Sequence, residues 1–177
     1  PPGVGNGGGR NNPDTLVRIA DFATGSASIV GNLGNNNIRR EDGSLLSDIE
    51  ALTSRANFGQ LIAANGNEIG SIDPETGVFT TLGILTDYQD FDAIVIDRNS
   101  RLNNGDEQTR LLLVSKSRGA DKENAIVQAF IQLDEDGQPD GLVDVSELSR
   151  FAADQFPGNT ESIDGIALDP NDSNLVY

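Results

Sequence analysis

The stretch Asp90-Phe91-Asp92-Ala93-Ile94 decides the reading of this chain, because it occurs three times in variant form. The other copies are Asp48-Ile49-Glu50-Ala51-Leu52 and Ser162-Ile163-Asp164-Gly165-Ile166, each a small polar residue, an apolar one, an acid, a small residue and an aliphatic. Two copies run on alike, through Val95-Ile96-Asp97-Arg98 and Ala167-Leu168-Asp169-Pro170, into a turn and another apolar run. Short β-branched and aliphatic runs bounded by Gly, Asn, Asp and Pro read as strands. Repetition of such runs makes one small supersecondary unit the building block of the chain.

A second motif interleaves with the first. Ile19-Ala20-Asp21-Phe22-Ala23-Thr24-Gly25 and Ile72-Asp73-Pro74-Glu75-Thr76-Gly77 each read as strand, tight turn and strand, and Ile131-Gln132-Leu133-Asp134-Glu135-Asp136-Gly137 is a looser third copy. The turn glycine supplies the positive φ that a tight hairpin requires. Combining the two motifs gives four strands per unit: 49–54, 60–64, 67–73 and 78–82, then 91–97, 110–115, 125–133 and 141–145. Asn65-Gly66 is the expected hairpin turn between the second and third strands of the first unit. Half units flank them, at 16–22 with 26–33 and at 163–168 with 174–177. Four antiparallel strands in about 40 to 50 residues make the blade of a β-propeller, so the expected fold is all-β, with about two complete blades and a half blade at each end. One short connecting helix is expected over 146–156, where Leu148, Phe151, Ala152 and Phe156 share a face and Pro157-Gly158 follows.

Residues 1–14, rich in Gly, Pro and Asn, read as a flexible arm, and 15–177 as the partial propeller domain. The arm contains G-x-G-x-x-G at Gly3, Gly5 and Gly8, but no strand precedes it, so it lacks the context of a dinucleotide site. The chain lacks Met and ends at Leu175-Val176-Tyr177, in what the repeat makes the middle of a strand; the expectation is an excised or truncated segment of a longer propeller.

Composition narrows the chemistry. The 177 residues hold 12 Lys and Arg against 28 Asp and Glu, a formal charge of −16, which opposes phosphate backbones and anionic lipid surfaces. No nucleic acid is expected as partner. The absence of Cys and His removes thiolate nucleophiles, imidazole bases and the usual zinc ligands together. No apolar run approaches the ~20 residues of a membrane span. Ser115 and Lys116, beside Ser117 and Arg118, have no recognisable base or oxyanion hole near them in sequence and read as surface residues.

The two motifs resemble those of secreted bacterial β-propeller repeat proteins, with their I-D-P-x-T-G hairpins and D-[IF]-[DE]-[AG]-[IL] inner strands: the YncE-like, DUF4394-like, phytase-like and SdiA-regulated propellers. The resemblance covers about residues 15–177. It implies that acids at the start of inner strands line a channel mouth where calcium binds, a role that falls on Glu50, Asp92 and Asp164. The other reading of these acids is bonding to backbone amides of neighbouring blades. No basic cluster suited to a phosphorylated substrate is visible.

A second candidate calcium site is the EF-hand-like run from Asp136 to Glu147. Asp136, Gln138, Asp140, Asp144 and Glu147 stand at loop positions 1, 3, 5, 9 and 12, Gly141 at 6, and Leu142 at the position that offers its carbonyl. Gln at position 3 and the strand-like Phe130-Ile131-Gln132-Leu133 before it leave open an Asp/Gly-rich hairpin with solvated acids. The expected function is a non-catalytic structural or interaction module, extracellular or on the cell surface. Its expected cofactor is calcium, and its expected partners are other proteins or matrix components, with self-association through unpaired edge strands. The alternative is a metal-dependent hydrolase of the phytase-like or lactonase-like propeller class.

Overall fold

The computed structural model describes residues 14–21, 23–30, 37–54, 59–88, 90–97, 109–116, 124–151 and 165–169. Asp164, the third inner-strand copy up to that residue, the last strand expected at 174–177 and residues 152–156 of the expected helix lie outside them.

The described strands are β1 (Val17–Asp21), β2 (Ser26–Ile29), β3 (Arg39–Arg40), β4 (Ile49–Ser54), β5 (Leu61–Asn65), β6 (Glu68–Ile72), β7 (Val78–Ile84), β8 (Asp90–Asp97), β9 (Thr109–Lys116), β10 (Asn124–Leu133) and β11 (Pro139–Phe151). They form three sheets: the hairpin β1-β2, a five-stranded sheet in the order β3-β7-β6-β5-β4, and a four-stranded sheet in the order β11-β10-β9-β8. Strands β4 to β7 and β8 to β11 are thus two antiparallel meanders with one order and close to the boundaries the repeat predicts.

The two meanders share backbone detail. In β4 the pairing register slips between Ile49 and Ala51, and in β8 between Phe91 and Ala93, so the motif acids Glu50 and Asp92 are each the extra residue of a β-bulge. The three hairpin copies share a side-chain lock. Asp21 accepts from the Ala23 amide and the Thr24 hydroxyl, Asp73 from the Glu75 and Thr76 amides, and Asp134 from the Asp136 and Gln138 amides. Gly25, Gly77 and Gly137 then turn the chain at φ of 67°, 71° and 77°. The β5-β6 turn is displaced by one residue from expectation: Asn65 pairs with Glu68, leaving Gly66 (φ 61°) and Asn67 as the loop, the arrangement in which glycine must come first.

Period-two alternation sends side chains of the five-stranded sheet to two cores. Ile62, Ala64 and Ile69 face the other meander and pack with Phe91, Ile94, Ile96, Leu111, Leu113, Val127 and Ile131. Ala63, Ile72 and Phe79 face the opposite way, against Ile38, Leu46 and Leu16. Gly70 lies so close under the Phe79 ring that a Cβ would come within 2.3 Å of it.

Two features correct the sequence reading. Residues 146–151 are strand, not helix, and no helix is present among the described residues. β11 pairs with β10 from Leu133 opposite Pro139 to Asn124 opposite Phe151, which satisfies backbone groups that a helix of two or three turns would hold only marginally. Leu148, one of the residues of the apparent helical face, is exposed in β11. The second feature is the unforeseen β3, parallel to β7. Its anchor is Arg40, whose Nη1 and Nη2 each reach a different Glu68 carboxylate oxygen at 2.5 Å, and whose guanidinium lies 5.5 Å from the Phe79 ring centroid.

Arg40 holds the Glu68 carboxyl below its ordinary value; burial opposes this, and Thr81 and Asn65 assist. A depressed carboxyl contributes stability that is present above the unfolded value near 4.5 and is lost as pH falls through the lower folded value. Glu68→Gln is therefore expected to cost about 1–3 kcal/mol at neutral pH. In urea unfolding at stepped pH, its deficit against the parent should shrink from pH ~5 downward.

Candidate metal centre

The first strands of the two meanders, β4 and β8, lie against each other. Because they carry the same motif, their contact gathers its acids. Asp48, Glu50 and Asp90 each place a carboxylate oxygen within 4.8 Å of the other two. Asp48 precedes β4 and is half-buried, Glu50 is exposed on the bulge, and Asp90 opens β8 and is only 5% exposed. A bulge bends its strand and re-aims a side chain, which accounts for Glu50 reaching its neighbour Asp48, two residues away in a strand motif, and Asp90 on the adjoining sheet.

The backbone on both sides of this group is fixed. The Ile49 amide, between Asp48 and Glu50, donates to Asp14 Oδ2 at 2.7 Å. Asp14 is itself held in place, its amide donating to the Leu46 carbonyl and its carbonyl accepting from the Ile38 amide. On the other side, the Phe91 amide donates to the Gly66 carbonyl at 3.1 Å, which fastens the start of β8 to the β5-β6 turn. The Leu85 amide donates to Asn67 O in the same turn, and Tyr88 stacks its ring 5.7 Å from Phe91.

Three carboxylates this close can hold a metal ion. Their donors are all oxygens, the set preferred by hard cations, and two of the three acids have limited contact with solvent that would otherwise screen their repulsion. In a chain without His or Cys, carboxylates are also the only strong anionic ligands near neutral pH.

Of the acids implied by resemblance, Glu50 is in the group. Asp92 sits on the β8 bulge, half-buried, and is not one of the three. Asp164 lies outside the described residues. Asp48 and Asp90 were not singled out from sequence, although the signal was present: the first motif position is Asp in both copies, and adjacency of the copies is what joins them.

The EF-hand-like residues are dispersed. Asp136 lies in the β10-β11 turn and Gln138 follows it, while Asp140, Leu142, Asp144 and Glu147 fall along β11. An extended strand separates Asp140 from Glu147 by roughly 23 Å, so the run is laid out as strand and does not wrap a common point as a twelve-residue loop would. Glu147 pairs with Arg150 at 2.6 Å. Leu142 packs against the first core, its Cδ1 over Gly83. Asp144 adopts φ 51° where two residues of β11 face Ala129, a bulge site usually given to glycine.

The geometry therefore defines an all-β chain with a carboxylate group at the junction of two like sheets. No known protein family, curated protein or solved structure matches the chain.

Asp14 is the structural support of the group. Asp14→Ala is expected to destabilise the fold by about 1–3 kcal/mol, the range for a lost bond to a charged acceptor, whereas Asp14→Asn keeps an acceptor for the Ile49 amide and should recover most of that loss. Paired urea titrations of the two variants check this.

Proposed function

We propose that this chain is of the propeller-type repeat class, acting outside the cell as a structural or interaction module, with calcium bound at the junction of successive blades. The observation that carries the reading is the acid group formed where two copies of one motif meet. A ligand set shared between repeats serves to join them, because the ion neutralises charges that would otherwise push the two sheets apart.

Further support comes from the two meanders of equal strand order, which match the blade unit, and from the acidity of the chain. Calcium fits an oxygen-only group better than magnesium, since it accepts six to eight ligands in flexible geometry and needs no octahedron. Carboxylates of two motif copies, completed by backbone carbonyls and water, make such a shell. The resemblance to secreted propellers agrees with an extracellular setting, where calcium is abundant enough for a weak site to fill. Other proteins or matrix components are the proposed partners, through the broad acidic surface.

Thermal melting with calcium and with chelator tests the reading. At a calcium concentration a hundredfold above Kd, the expected gain is about 2.7 kcal/mol, a rise in Tm of roughly 5–10 °C for a domain of this size. Asp90→Asn and Glu50→Gln should each lose that rise, because each removes a charged oxygen ligand. Coincident parent curves in calcium and chelator would remove the ion from the account.

A further inference from the structure

We propose that the cleft between β1 and the β6-β7 turn is a binding site for a small zwitterion of the amino-acid or short-peptide class, one that joins an ammonium to a carboxylate. The site is independent of the acid group and of its reading as a calcium centre.

The cleft has a volume of about 450 Å³, within the range of small-molecule sites. Arg18 enters it from β1, Asp73, Pro74 and Glu75 from the β6-β7 turn, and Gln138 from the β10-β11 turn, while Gln60 stands just before β5. These residues lie at the opposite end of the strands from the acid group. Gln60 precedes the first residue of β5, whereas the last residue of β5 runs into the turn whose Gly66 carbonyl holds the Phe91 amide beside Asp90. The length of β5 puts roughly 17 Å between the two ends.

The polar groups of the cleft are not used by the fold. Gln60 Oε1 is buried and has no hydrogen-bond partner among the described residues. A buried acceptor left without a donor is costly, and a ligand N–H that reaches it removes the cost. Arg18 makes one long bond, from Nη2 to the Pro74 carbonyl at 3.5 Å, and no ion pair among the described residues. Arg40, Arg110 and Arg150, by contrast, each have a carboxylate oxygen at 2.7 Å or less. The Glu75 carboxylate is likewise without a bond among the described residues, since only the Glu75 amide is engaged, on Asp73. Arg18 and Glu75 thus line one cleft as opposite charges that do not neutralise each other by contact.

Charge decides the class of occupant. A bare anion would meet Arg18 but also Glu75 and Asp73, whose carboxyl the Glu75 and Thr76 amides hold below the usual range. A bare cation would be repelled by Arg18. Pro74 is the one apolar side chain in the wall, so burial of hydrocarbon has little to act on. A neutral sugar would satisfy Gln60 yet leave both charges partly desolvated without a counter-charge. A zwitterion matches all three groups: its carboxylate accepts two bonds from the Arg18 guanidinium, and its ammonium donates to Gln60 Oε1 and to Glu75. Gln138 adds a side-chain amide suited to a peptide group.

The full chain, labelled with nitrogen-15 and kept in chelator so that the acid group plays no part, is titrated with glycine, diglycine and triglycine, which set the two charges progressively further apart. The expected result is a saturable shift of the Gln60 and Glu75 amide resonances for at least one of the three. The N-acetylated and C-amidated forms of that ligand, each lacking one charge, and glucose should bind at least about tenfold more weakly. Arg18→Gln and Gln60→Leu should each weaken binding by a similar factor, with the remaining resonances of the exposed Arg18→Gln variant in place. No saturable shift with any of the three up to about 100 mM, equal binding of the acetylated and amidated forms or of glucose, or undiminished binding by either variant would overturn the proposal.

Discussion

Burial between the two meanders is the constraint on which everything else depends. Neither meander has an inner face it can leave in water: Ile62, Ala64 and Ile69 of one pack with Phe91, Ile94, Leu111, Leu113 and Val127 of the other. Apolar area removed from water is the dominant favourable contribution to folding, and sheets too small to bury a face alone gain it by stacking. The stacking also fixes where chemistry can occur. Once β4 and β8 are brought together to close that core, the polar residues that open each strand have no freedom to be apart, and the carboxylates of Asp48, Glu50 and Asp90 share one small volume.

The fold manages a strongly acidic composition by assigning its few arginines with care. Arg40 grips Glu68 through two bonds and thereby adds β3 to the sheet; Arg110 places Nε and Nη2 on Asp97 Oδ2 at 3.1 and 2.7 Å across the β8-β9 pair. Both acids are buried, with Asp97 2% exposed, and a buried carboxylate without a partner would be costly. Other acids are spent on turns, where Asp21, Asp73 and Asp134 accept amides that no strand can satisfy. The cluster at the junction differs in bringing three acids of the same sign together.

Much of the fold was legible because its signals are local. Glycine after Asp-x-x-Thr, alternation in short apolar runs and recurrence of the five-residue motif gave nearly every strand, since a turn is determined by residues two to four positions apart. The reading of 146–156 as a helix failed for the complementary reason. Leu148, Phe151, Ala152 and Phe156 satisfy a helical period on paper, but β10 runs far enough past the turn to pair with residues up to Phe151, and pairing with a distant strand outweighs a short local pattern. The EF-hand-like spacing is local in the same way: residues Asp136 to Glu147 have the right types in the right order, while the Asp134 turn and the ladder to β10 hold most of them extended.

What the sequence determined by itself was the unit, because hairpin locks, turn glycines and the bulge-bearing acid motif act within a few residues of one another. Only the tertiary structure decided which acids meet. Asp48 and Asp90 are 42 positions apart (90 − 48), and nothing local distinguishes them from the solvated acids elsewhere in the chain. Their partnership exists because two apolar faces must cover each other, and a contact made for the sake of the core carries the polar ends of both strands with it.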